Sequence, residues 1–127
     1  MGPAEATGRL RLDYRLDSGV ALVTVTGEID VSTSALLREH LLRVITDEPR
    51  RSLVVNLARV SFIDSTGTGV LVGIWHRVRA TSASLALAAP SRQARNVLDL
   101  TGLASVLPVY DTQAQALQAC RPPARQP

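Results

Sequence analysis

The rhythm of apolar residues constrains this chain more than any other feature. Apolar runs of strand length alternate with segments in which apolar residues recur every three or four positions. RLRLDYRL (9–16) places Leu10, Leu12, Tyr14 and Leu16 on one face and Arg9, Arg11, Asp13 and Arg15 on the other. That alternation is the pattern of a half-buried strand. Asp17-Ser18-Gly19 reads as a turn into VALVTVT (20–26), so the two strands are predicted to form an antiparallel hairpin. After Gly27-Glu28-Ile29-Asp30, one of Ser32, Thr33 or Ser34 is expected to cap a helix that runs to about Thr46. Leu37, Leu41, Val44 and Ile45 form its buried stripe, and Asp47-Glu48-Pro49 ends it.

SLVVNLA (52–58) is almost continuously apolar, as a central strand covered on both faces must be. Val70, Leu71, Ile74, Trp75 and Val78 then predict a helix over about 66–80. SLALAA (84–89) is a further buried strand. Pro90-Ser91 opens a short helix with Ala94, Val97 and Leu98 inward and Gly102 just past its end. Pro108 restricts VLPVY (106–110) to a short edge strand, and TQAQALQAC (112–120) is a last helix. Strands alternating with helices require parallel crossovers. The expected architecture is therefore a small α/β sandwich: a mixed central sheet, first an antiparallel hairpin and then parallel strands, with about four helices. One domain is expected over 9–119, with residues 1–8 and 121–127 as poorly ordered tails. Functional groups of such sheets gather at the C-terminal ends of strands. Asp30 follows the second strand and Asp64 the third, so both are expected at one end.

Composition removes several functions. All 14 basic residues are Arg. Without Lys there is no P-loop lysine, no Schiff base and no kinase fold. The arginines are dispersed, so no direct nucleic-acid partner is expected. Four aromatic residues, Tyr14, Phe62, Trp75 and Tyr110, leave an aliphatic core and no stacking platform. The single Cys120 forms no internal disulfide. No signal peptide or apolar run of membrane-spanning length is seen, so no membrane is expected and the cytoplasm is the default location. His40 and His76 sit on predicted helices and are read as surface or partly packed. With Cys120 they do not make a metal site, and no cofactor is expected.

The densest chemistry lies in FIDSTGTG (62–69), where a strand gives way to a helix. Gly67, Gly69 and Gly73 are spaced one residue too widely for a dinucleotide fingerprint, and no acid follows about 20 residues on. Ile63 stands where a nucleophile elbow needs glycine. Asp64, Ser65 and Thr66 can each cap the helix, and the glycines allow a tight turn. Three capping residues in a row exceed what one helix end needs. Asp30 and Asp64 are also a carboxylate pair of the kind used in acid–base chemistry, although capping is the commoner use.

LVVNLARVSFIDSTGTGVLVG (53–73) resembles the phosphorylation segment of STAS domains, in particular the bacterial anti-sigma factor antagonists. TGEID (26–30) resembles the family's Gly-Glu-Leu/Ile-Asp motif, and NVLDLTGLASVLPVY (96–110) is similar to its lead into the last strand. Together they span nearly the whole of 9–119 and imply a STAS-like fold. By that resemblance Ser65 is the residue phosphorylated by an anti-sigma factor serine kinase. Asp30, Asp64, Thr66, Gly67, Thr68 and Gly69 would lie at the partner-binding face, and Asn56 would be the polar residue of the preceding strand near the site. Thr68 departs from the family pattern, which commonly has Leu there, and is expected to alter packing against the partner. The implied mechanism is partner switching. The unphosphorylated chain binds the kinase and frees a sigma factor, phosphorylation ends the complex, and a serine phosphatase resets it. The chain would then be a monomeric switch and not an enzyme. The alternatives are a STAS module in another assembly, such as a stressosome-type scaffold or a lipid-transport ABC complex, and a nucleotide-binding protein.

Overall fold

The computed structural model describes residues 4–122. Six strands and four helices follow the order β1 (Glu5–Thr7), β2 (Leu10–Asp17), β3 (Val20–Ile29), α1 (Ser34–Asp47), β4 (Leu53–Ile63), α2 (Ser65–Arg79), β5 (Leu85–Ala88), α3 (Arg92–Leu100), β6 (Val109–Tyr110) and α4 (Gln113–Cys120). A single 3-10 turn, Leu103–Ser105, precedes β6. The sheet order is the chain order. The β1–β2 and β2–β3 pairs are antiparallel and the remaining pairs are parallel. This is the expected mixed sheet with one strand added at its start.

That added strand corrects the reading of residues 1–8 as a tail. Glu5–Thr7 pairs with Leu10–Leu12. Side chains also anchor it, because the Glu5 carboxylate takes a 2.9 Å hydrogen bond from His40 Nδ1 and an ion pair from Arg43, both on α1. His40 is correspondingly buried, at 1% exposure, and not a surface histidine. Its alternative Nε2 face is buried and has no partner among the described residues. The Nδ1–H tautomer, donating to Glu5, is therefore the one this packing favours. Residues 1–3 and 123–127, parts of the two expected tails, lie outside the described residues.

The β2–β3 turn has positive φ at both Ser18 (54°) and Gly19 (82°), as a two-residue type I′ hairpin demands. One face of the sheet carries the larger core. Leu12, Val23, Val25, Val55 and Leu87 pack there against Leu37 and Leu41 of α1, Leu71 and Ile74 of α2, and Leu98 of α3. Each such fully buried side chain contributes on the order of 1.5–3 kcal/mol through removal from water. The other face is covered only in part, by α4, through Ala116 and Cys120 on Leu22, Val54 and Ala86. Thr112 begins α4 with a reciprocal capping box to Gln115.

β4 is the strand that positions the site. It runs to Ile63, five residues beyond the apolar segment that predicts it, because two register irregularities let it follow β3 to its end. The pairing is Thr24 with Asn56, then Thr26 with Arg59, then Glu28 with Phe62. Bulges of this kind re-aim side chains near functional sites. Here they keep Val60 and Ile63 in the core and leave Phe62 at 41% exposure.

Candidate functional site

Ile29 and Ile63 are register partners at the ends of β3 and β4, and the Asp64 amide donates to the Ile29 carbonyl at 3.2 Å. Asp30 and Asp64 therefore stand side by side where both strands end, as the strand order predicts. Each then organises the loop that follows it. Asp64 is the N-cap of α2, and its Oδ1 accepts from the Thr66 amide at 3.0 Å, the Gly67 amide at 3.2 Å and the Thr66 hydroxyl at 2.5 Å. These donors satisfy backbone groups that a helix start otherwise leaves open. Asp30 instead closes the turn that leads into α1, accepting from the Ser32 amide at 2.9 Å, the Ser32 hydroxyl at 2.7 Å and the Thr33 amide at 3.2 Å. The N-cap position itself is Thr33, one of the three expected residues. Its side chain does not cap the helix, because it donates to the Glu28 carbonyl at 2.8 Å instead.

Both carboxyls are held below the ordinary aspartate range. For Asp64 the Thr66 hydroxyl is the largest cause, helped by the Gly67 and Thr66 amides and opposed by partial burial and the Asp30 charge. For Asp30 the Ser32 hydroxyl leads, with the Ser32 amide and Arg9 adding to it. The end of the sheet thus carries two carboxylates that keep their negative charge further into acid than an ordinary aspartate does.

Ser65 is the first residue of α2 and is exposed. Its hydroxyl has no hydrogen-bond partner among the described residues, whereas Thr66 is committed to Asp64 and the Thr68 hydroxyl to the Ser65 carbonyl at 3.1 Å. Of the three hydroxyls in the segment, only that of Ser65 is both accessible and free.

The other expected site residues divide. Thr66 and Gly69 are exposed on the first turns of α2. Thr68 is 5% exposed and turned inward, so the departure from Leu lies beneath the face and its side chain does not offer a partner contact. Gly67 is buried as well. A Cβ there would lie 2.5 Å from Ile29 Cγ2 and 2.8 Å from Ile63 Cγ1. Gly67 therefore allows close packing of α2 onto the strand ends, not the tight turn expected of it. Asn56 is not near the site. It lies seven residues before Ile63, about 20 Å along the strand. There its Oδ1 accepts from the Ala58 amide at 2.8 Å across the first bulge and its Nδ2 donates to Gln113 of α4 at 2.7 Å.

Two residues that the sequence does not mark complete the site. Arg9, in the β1–β2 turn, places Nη1 2.8 Å from Asp30 Oδ2 and 3.4 Å from Glu28 Oε1, and also contacts the Ser32 hydroxyl. It is brought there by its own backbone, whose carbonyl accepts from the Glu28 amide at 2.8 Å. Gly27, at φ 113°, makes that approach feasible, since a Cβ would lie 2.0 Å from the Arg9 oxygen. Gln93 of α3 extends the sheet past the short β5. Its Oε1 accepts from the Ile63 amide at 2.8 Å and its Nε2 donates to the Ile63 carbonyl at 3.1 Å. Neither residue has a sequence signal, because each acts across a long separation through a side chain of a common type.

Around the two acids lie apolar side chains that the fold leaves uncovered, Val31 at 77% exposure and Phe62 at 41%. Among the described residues there is no cluster of metal-ligating side chains, and no helix is long and apolar enough to cross a membrane.

Comparison with known proteins agrees with this geometry. The STAS domain model matches residues 11–116. The chain is 33% identical over 100 residues to the anti-sigma-B factor antagonist of Bacillus subtilis, covering 79% of this chain and 90% of that one. It is 28% identical over 108 residues to the anti-sigma F factor antagonist of Paenibacillus polymyxa, covering 85% and 92%. The crystal structure of an anti-sigma factor antagonist from Mycobacterium paratuberculosis superposes with a TM-score of 0.82 at 30% identity, over 92% of this chain and 98% of that one. With Asp64 capping α2 and Asp30 holding the turn before α1, beside a free serine on a six-stranded sheet of this order, the chain belongs to the STAS domain family, among its anti-sigma factor antagonists.

Proposed function

We propose that the protein binds an anti-sigma factor with serine kinase activity, so releasing a sigma factor, and that phosphorylation of Ser65 ends the complex. The observation that carries this reading is the free, exposed Ser65 hydroxyl beside a Thr66 hydroxyl that is tied to Asp64. A kinase that reaches this helix start meets one available nucleophile. Val31 and Phe62 supply apolar contact area around it, and Asp30, Asp64 and Glu28 give the face its charge.

The switch follows from charge and position. Phosphate adds about −1.5 to −2 charge. At the first residue of α2 the helix dipole favours that charge by ~0.3–1 kcal/mol, so the helix is expected to persist. The amides that would otherwise receive the phosphate are already held by Asp64. The new charge therefore adds to those of Asp64 and Asp30 at the docking face. It weakens the complex by bulk and by mismatch with whatever the acids attract. In this scheme the chain is a substrate and a switch, monomeric when exchanging partners, and a serine phosphatase restores it.

The test is phosphorylation of the purified chain by an anti-sigma factor kinase from the same genome with ATP, followed by mass spectrometric mapping. Label is expected on Ser65, absent in Ser65→Ala and retained in Thr66→Ala. Ser65→Ala should bind the kinase and Ser65→Asp should not. Label on Thr66, or equal binding by both Ser65 variants, would overturn the proposal.

A further inference from the structure

A groove of about 330 Å³ runs between α1 and α2, beside the Ser65 site and sharing Thr66 and Gly69 with it. Its floor is small and apolar. Gly69 and Gly73 have open space where a Cβ would be, and Leu42 and Ile74 line the walls. Its cations are Arg38 from α1 and Arg77 from α2. Several arginines on this molecule are occupied. Arg9, Arg11, Arg15, Arg43, Arg51 and Arg95 have carboxylate partners, and Arg79 stacks over Trp75 at 4.6 Å. Among the described residues, Arg38 and Arg77 have neither kind of partner, and of the arginines in that state, which include Arg50, Arg59, Arg92 and Arg121, these two line the groove.

Both helices follow parallel strands of one sheet and return in the same direction, so distances along the groove can be counted on the helix rise. Arg38 is four residues into α1 and Arg77 twelve residues into α2. Their backbones are therefore offset along the groove by about 12 Å, or two turns of helix. Between them lies a floor that admits close approach, because two consecutive turns of α2 present only hydrogen at Cα.

We infer that this groove is a docking surface for an acidic amphipathic helix of the protein partner. Such a helix would carry carboxylates about seven residues apart that meet Arg38 and Arg77, with small or apolar side chains resting over Gly69 and Gly73. A helix of this pattern matches the spacing of the two groove arginines and the shape of the floor together. The inference rests on the reading of Ser65 as the centre of a partner face only in assigning the helix to the anti-sigma factor. The groove thereby extends the acidic Ser65 end with a basic one, and the two charges orient the partner.

Two experiments on the full chain separate the parts. In the first, a synthetic 15-residue helical peptide with Glu at i and i+7 and Ala between is titrated into the ¹⁵N-labelled protein. Shifts are expected at the Gly69, Val70 and Gly73 amides and at the Arg38 and Arg77 side chains. They should be lost with a Lys-for-Glu peptide and in the Arg38→Glu/Arg77→Glu variant. No shifts in the groove, or equal shifts with both peptides, overturns the docking surface. In the second, the variant is measured against the anti-sigma factor kinase. About a tenfold loss of affinity, mostly in association rate and shrinking at high salt, is expected for charges at an interface rim. Unchanged affinity there removes the assignment to that partner. If the unmodified chain binds the peptide but no anti-sigma factor, the Ser65 reading fails and the groove stands. Arg38→Gln/Arg77→Gln, which should unfold no more readily than the parent, controls for loss of stability.

Discussion

Gly67→Ala and Gly69→Ala should change stability in opposite directions, although the two glycines are neighbours in one motif. At Gly67 the added methyl would sit 2.5 Å from Ile29 Cγ2 and 2.8 Å from Ile63 Cγ1. Ordinary carbon contacts are about 3.5–4.0 Å, so roughly 1 Å of movement is required. Neither isoleucine can swing aside easily, because both are fully buried and β-branched on paired strands. The start of α2 must lift instead. Overpacking of this kind costs about 1–3 kcal/mol. At Gly69 the methyl meets nothing within 4 Å and sits on an exposed helical position. There alanine gains about 0.5–1 kcal/mol over glycine. The two variants should therefore differ by about 2 kcal/mol or more. With a urea slope in the usual range of about 1–3 kcal/mol/M, their midpoints should separate by about 1 M. Trp75, the single tryptophan and half-buried on α2, reports the transition by fluorescence, and far-ultraviolet circular dichroism checks that it is two-state. A Gly67→Ala protein as stable as the parent would refute the close-packing argument for this glycine.

Asp64→Ala should cost about 1 kcal/mol as a lost N-cap, read from the urea midpoint at pH 7. The Asp64 carboxyl is held low in the folded state, so its contribution is present above the ordinary aspartate range and is lost as pH falls through the lower folded value. Between pH 7 and 3 the parent should thus lose more stability than Asp64→Asn does. Glu5→Ala leaves buried His40 Nδ1 without its acceptor and should destabilise by about 1–3 kcal/mol. A thermal melt within a degree of the parent would contradict the anchoring of β1. Phosphorylated Ser65 should leave the helical circular dichroism unchanged, and a large loss would refute the proposal that the switch acts at the interface.

The regular part of this fold was legible because strand and helix periods differ. Leu10–Leu12–Tyr14 and Leu37–Leu41–Val44 mark their buried faces with no help from tertiary structure. Asp30 and Asp64 could be placed together from strand order alone. The misses share a cause, which is dependence on contacts distant in the chain. β1 is held by a carboxylate that reaches His40, 35 residues away. Asn56 resembles a site residue by its position in a motif, but the two bulges of β4 and the approach of α4 assign it elsewhere. Gly67 and Thr68 sit at a helix start read as part of the partner-binding face, and only the descent of α2 onto the strand ends buries them.

The pairing of Gln93 with Ile63 also has a consequence in time. During synthesis Ile63 and Ser65 leave the ribosome well before Gln93, which follows Ile63 by 30 residues. At about 5–20 residues per second, this interval lasts roughly 1.5–6 s. Throughout it, the nascent Ser65 segment lacks the side chain that holds both the amide and the carbonyl of Ile63. Under the proposed function, a stalled chain ending before Gln93 should therefore neither accept phosphate efficiently nor compete for an anti-sigma factor. Release of the last third of the polypeptide would then act as a quality check, so that unfinished copies do not report for duty.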